Sequence, residues 1–143
     1  MLKAVQNNWS RMNIGVFAAA VADYRPKMVA DQKIKKSTEE MSIELVKNPD
    51  ILKWAGVHKT ESQILVGFAL ETQDVLENGR KKLAAKNLNF IVLNTMQDNG
   101  AGFGVDTNKI SILDNHNNLK HFELKTKNEV ATDIVEYMKH YLT

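Results

Sequence analysis

The spacing of hydrophobic positions changes several times along the 143 residues, and each change marks an element. Leu2, Val5, Trp9 and Met12 fall three, four and three apart, which predicts a short amphipathic helix over 2–12 that opens without an N-cap residue. The run 14–21, with Ala18, Ala19 and Ala20, has the composition of a strand buried on both faces; Asp23 and Pro26 end it, with Asp23 as its predicted limit. Alternation at Ile43 and Leu45 predicts a strand over 42–47. Asn48-Pro49-Asp50 reads as N-cap, first helical residue and dipole-facing acid of a helix over 49–58. Residues 63–69 and 89–94 are two further buried strands, the first with Gly67 in it, Phe68 at its end and Glu71 just beyond. Between them, 74–88 is the longest helical pattern, with Val75, Leu83 and Leu88 inward. After a loop at 95–106, segments 109–113 and 119–124 form a hairpin, and Val130, Ile134, Met138 and Tyr141 share one face of a closing helix over 127–141.

Strand, helix, strand, helix, strand with short links predicts an α/β fold with a parallel sheet covered on both faces. Ligands of such sheets sit beyond the carboxyl ends of the strands, where Asp23 and Glu71 place carboxylates and the alanines expose backbone. Lys27, Lys33, Lys35 and Lys36 follow within ten residues and suggest an arm that neutralises a polyanion such as a nucleotide triphosphate. With 42–47 the arm forms a two-stranded flap. A solvated loop explains the same lysines equally well.

Composition narrows the classes. The chain is 43% hydrophobic and 25% charged, as a globular domain is, and its length suits one domain with one core. A net charge of +2 confines any electrostatic function to a local patch. RNA binding lacks an aromatic platform beside the lysines. The absence of cysteine removes disulfides, thiolate nucleophiles and Cys-based metal sites, and fits a reducing, cytoplasmic setting. The longest apolar run is short of the roughly 18 residues that span a bilayer, so no membrane role is expected.

Gly100-Ala101-Gly102-Phe103-Gly104 lacks the Lys-Ser/Thr of a P-loop and leads to a hairpin, so it reads as a structural loop. His58, His116, His121 and His140 show no zinc spacing. Asp23, Asp50 and Glu71 are better candidates for holding magnesium or ribose hydroxyls, although Asp50 is explained as well by a favourable helix charge. Lys82 and Lys86, four apart, share one helix face, an ordinary arrangement for exposed lysines.

Taken in order, AAVADYRP, KIKK, LVKNPDIL, VGFALET, KKLAAKNLNFIVLN and FGVDTNKI resemble phosphopantothenoylcysteine synthetase, the phosphopantothenate–cysteine ligase that forms the C-terminal part of the bacterial bifunctional DNA/pantothenate metabolism flavoprotein. The resemblance runs from about Ile14 to the closing helix. It implies a Rossmann-like three-layer α/β/α fold with a mainly parallel sheet, a protruding β flap at about 27–47 and a C-terminal hairpin. The whole of 1–143 would be a single, partial synthetase domain, truncated at its N-terminal side by about a third and without the decarboxylase half that carries FMN. The helix without an N-cap at Met1 agrees with that.

The family's nucleotide contacts fall on Ala19, Ala20, Asp23, Lys33, Pro49, Asp50, Ile51, Leu52, Phe68, Lys82 and Lys86. The resemblance implies that CTP activates 4'-phosphopantothenate, with Mg2+ bound, as an acyl-cytidylate, and that L-cysteine then displaces CMP. Lys33 is the implied catalytic residue and Asp23 the implied metal contact, while Phe68 would border the base. Homodimerisation through the flap is implied as well, and the chain alone is expected to have little ligase activity. The alternative is a non-catalytic α/β nucleotide-binding or dimerisation module.

Overall fold

The computed structural model describes residues 1–35, 39–71, 73–95 and 104–142; Lys36, Thr72 and the 100–103 part of the glycine loop lie outside them. The elements are α1 (Leu2–Asn8) with a 3-10 turn at Trp9–Arg11, β1 (Ile14–Phe17), β2 (Tyr24–Pro26), β3 (Leu45–Lys47), α2 (Ile51–Val57), β4 (Ile64–Glu71), α3 (Val75–Ala85), β5 (Phe90–Thr95), β6 (Thr107–Asn108), β7 (Ile110–Asp114), β8 (Leu119–His121), β9 (Lys125–Thr126) and α4 (Lys127–Met138), followed by a 3-10 turn at Lys139–Tyr141. Two compact units result, Met1–Ala18 with Ile51–Thr143, and Ala19–Asp50.

The larger unit is a five-stranded sheet in the order β1-β4-β5-β7-β8. β1, β4 and β5 are parallel, with Ile14 opposite Ile64 and Val66 opposite Phe90. β7 pairs antiparallel with β5 and β8 with β7, so the predicted hairpin completes the same sheet. Side chains alternate across the pleat. Ile64, Val66, Phe90, Val92, Ile110 and Ile112 pack with Val130, Ile134 and Met138 of α4. Leu65, Ala69, Ile91, Leu93 and Leu113 pack on the other face with Trp9, Ala55 of α2 and the α3 residues Val75 and Leu83. The result is the Rossmann-like α/β fold.

Two polar devices fix this unit. Thr126 caps α4 in a capping box: its hydroxyl accepts from Glu129 N–H at 3.3 Å, and Glu129 Oε2 accepts from Thr126 N–H at 2.9 Å. The T-x-x-E spacing at 126–129 is the local signature of this cap. Asp114, buried at the end of β7, accepts from His116 N–H (2.9 Å), Asn118 N–H (2.8 Å), Asn118 Nδ2 (2.9 Å) and Tyr137 Oη (3.0 Å), closing the loop to β8 and tying it to α4. Burial alone would raise its pKa, but the hydrogen bonds from Asn118, Tyr137 and His116 outweigh it and hold the carboxyl below its ordinary range. Burial, together with the Asp114 hydrogen bond, pushes Tyr137 up to about 12.

The smaller unit is a hairpin of two three-residue strands, β2 and β3, with Tyr24 opposite Lys47 and Pro26 opposite Leu45. Lys27 N–H to Glu44 O (2.8 Å) and Asn48 N–H to Asp23 O (2.7 Å) extend it by one rung at each end. Every described residue of this unit except Val46 and Asn48 is exposed.

The structure corrects three expectations. The strand at 14–21 stops at Phe17 and is not buried: among the described residues β1 pairs with β4 alone, Val16 is 46% exposed, and Ala18, Ala19 and Ala20 are exposed beyond it. Its limit is therefore not Asp23, which is the first rung of the β2–β3 hairpin. The helix predicted from Pro49 starts at Ile51. The Asn48 side chain donates to Ala22 O at 2.8 Å and accepts from Arg25 at 2.9 Å, within the hairpin unit. Finally, β4 runs on to Glu71, so Phe68 lies inside the strand rather than at its end.

Candidate functional site

The sequence-derived candidates divide between the two units. In Ala19–Asp50 the residues Ala19, Ala20, Asp23, Lys33, Pro49 and Asp50 are all exposed. The hairpin positions Asp23: its carbonyl is fixed by the Asn48 amide, Arg25 binds Asn48 Oδ1 (2.9 Å) and Lys47 O (3.3 Å), and its carboxylate accepts no hydrogen bond from a described residue. Lys33 makes no ion pair among the described residues, whereas Lys27, expected to serve the same polyanion, is committed to Glu44 at 2.6 Å.

In the larger unit the remaining candidates occupy different layers. Ile51 is buried, and half-buried Leu52 packs against the face that carries α3. Phe68 is half-buried on the opposite face, against the α4 side of the core. Lys82 and Lys86 belong to α3 and its C-cap. The structure does not stack Phe68 against those lysines, because successive strand residues point to opposite faces and Phe68 is in register with the α4 side.

Lys82 and Glu71 are brought together, a pairing that sequence reasoning missed. Lys82 Nζ lies 2.6 Å from Glu71 Oε1, and Glu71 Oε2 accepts from Asn78 Nδ2 at 3.3 Å. The Glu71 side chain is 12% exposed and that of Lys82 45%, so the carboxylate is largely buried while the lysine reaches solvent. It sits at the carboxyl end of β4, the edge where sheets of this class receive ligands. The available signal was the i, i+4 spacing of Asn78 and Lys82, which puts both on one side of α3.

Lys59 is half-buried: it donates to Asn87 O (3.1 Å) and Asn89 Oδ1 (2.7 Å), and burial lowers its pKa. It closes the C-terminal end of α3 and is a structural group. Among the described residues no three His, Asp or Glu side chains gather as a metal cage, and no helix is long and apolar enough to cross a membrane.

A family model described as DNA/pantothenate metabolism flavoprotein C-terminal domain matches residues 1–142. A curated relative from an unknown prokaryotic organism, named cysteine/cysteine sulfinic acid decarboxylase, is 49% identical over 135 residues, covering 94% of this chain and 38% of its own length. The coenzyme A biosynthesis bifunctional protein CoaBC of Bacillus subtilis (strain 168) is 46% identical over 136 residues, covering 95% of this chain and 33% of its own length. A crystal structure of the C-terminal domain of a coenzyme A biosynthesis bifunctional protein CoaBC matches with a TM-score of 0.78 at 35% identity, over 99% of this chain and 60% of that one. The chain thus spans about a third of the length of these curated relatives.

Proposed function

Because the chain belongs to the DNA/pantothenate metabolism flavoprotein C-terminal domain family, we propose that it carries the nucleotide side of a CTP-dependent phosphopantothenate–cysteine ligase of coenzyme A biosynthesis, acting in the cytoplasm. The observation that carries the reading is the parallel set β1-β4-β5 with a cation, Lys82, tied to the carboxyl end of its central strand.

In this reading the carboxylate of 4'-phosphopantothenate attacks the α-phosphorus of CTP and pyrophosphate leaves. The amine of L-cysteine then attacks the acyl carbon and CMP leaves. Phosphoryl transfer of this kind asks a protein for positioning and charge neutralisation more than for a nucleophile. Lys33, Lys82 and Lys86 supply the positive charge, and Phe68 borders the base. Ala19, Ala20 and the 49–52 segment contribute backbone groups. Magnesium is commonly held by one or two carboxylates together with substrate phosphates. The unengaged carboxylate of Asp23 fits that role or a ribose hydroxyl, with the ion arriving on the nucleotide. A homodimer through the flap goes with the reading, since Met28, Val29, Met41, Ile43 and Leu45 all present apolar surface there.

Calorimetric titration with CTP and MgCl2 tests the proposal. Binding that is weaker with ATP and falls about tenfold in Lys33→Ala, one charge-assisted hydrogen bond's worth, supports it. A chain that ignores CTP yet dimerises is the non-catalytic module instead. A CTP-blind chain also suits the decarboxylase name that one relative carries.

A further inference from the structure

We infer that Glu71 is a positioning residue for the nucleotide: it holds the Lys82 ammonium at the carboxyl end of β4 so that the remaining donors of Lys82 meet a phosphate group. The inference rests on the reading of Lys82 as a nucleotide contact. Its geometry comes from three elements. Glu71 is the last residue of β4, on the same side of the strand as Leu65 and Ala69, and therefore faces α3. Asn78, one helical turn before Lys82, donates from Nδ2 to Glu71 Oε2 at 3.3 Å and to Gln73 O at 3.0 Å, which fixes the carboxylate against the link between strand and helix. Lys82 then meets Oε1 at 2.6 Å.

A lysine ammonium has three donors on a flexible four-carbon stem, and its rotamer freedom is lost whenever it binds. One donor spent on a carboxylate that is 12% exposed fixes the stem before any ligand arrives and leaves two donors free. A carboxylate so close to a triphosphate would ordinarily repel it. The two roles therefore predict opposite signs for loss of the Glu71 charge: as a bystander its removal tightens binding of a polyanion, and as a positioning group its removal weakens it.

The test is equilibrium binding of CTP with MgCl2 to the full chain and to Lys82→Ala, Glu71→Gln and the double variant, with thermal unfolding of each. Expected are a loss of about tenfold for Lys82→Ala, a loss of about fivefold for Glu71→Gln, and a double variant no weaker than Lys82→Ala alone. Tighter or unchanged binding in Glu71→Gln, or losses that simply add, overturn the inference while leaving Lys82 as a contact. A Lys82→Ala variant that binds as well as wild type, or a wild type that does not bind, instead overturns the underlying reading and the inference with it. Should Glu71→Gln fail to fold, Asn78→Ala, which frees the second carboxylate oxygen, is expected to weaken binding only while Lys82 is present; equal weakening in the Lys82→Ala background counts against the inference.

Discussion

Val66 and Val29 are the same residue under opposite conditions: Val66 is fully buried in the central strand of the larger unit, whereas Val29 is 84% exposed in the Ala19–Asp50 unit. The larger unit buries a core on each face of its sheet. The smaller one is held by a short ladder, a few side-chain hydrogen bonds and an exposed ion pair, interactions that each contribute little in water. Yet the smaller unit carries Asp23 and Lys33. Folding stability and candidate chemistry are thus distributed unequally, and a substitution can affect one with little effect on the other.

The sharpest way to test that division is in the core. Phe90 is fully buried and contacts the rings of Tyr137 and Tyr141, so Phe90→Ala is expected to cost about 3–5 kcal/mol in chemical denaturation. Gly56→Ala comes next. A Cβ there would lie 1.9 Å from Lys86 O, a backbone atom that cannot swing aside, and about 1–3 kcal/mol is expected from the forced separation of α2 from the end of α3.

The Asp114 network gives a comparable effect with a pH signature. Asp114→Asn is expected to cost about 1–3 kcal/mol at neutral pH, through donors left poorly satisfied. Because the native carboxyl is held below its ordinary range, its contribution is fully present above about pH 4 and disappears as the pH falls through the native value. The variant should therefore lose less stability than wild type on acidification. Tyr137 works in the other direction: its neutral form is favoured, so its contribution is complete below about pH 10 and is lost as the pH rises towards about 12. Tyr137→Phe should flatten that alkaline limb.

The smallest effect belongs to the other unit. Val29→Ser is expected to change stability by less than about 0.5 kcal/mol. A loss above 1 kcal/mol in the isolated chain at low concentration would break the comparison, by showing that the exposed segment contributes to the fold.

What the sequence determined by itself was whatever depends on periodicity. The buried strands β4 and β5, α3 with Val75 and Leu83 inward, and the Val130-Ile134-Met138 face of α4 were all legible, because a residue's burial there follows from its spacing along one element. The ordered motifs also pointed to the family. Tertiary structure alone decided which elements became neighbours. It left β1 with β4 as its partner among the described residues and the alanines beyond Phe17 exposed, although a strand of that composition is ordinarily central. It gave Asn48 the partners Ala22 and Arg25, and it set Phe68 in the layer opposite Lys82. It also joined Glu71 to Lys82 across a link and about two turns of helix. No local pattern contains that last contact, because two charges so far apart in sequence meet only after the sheet has fixed where α3 lies.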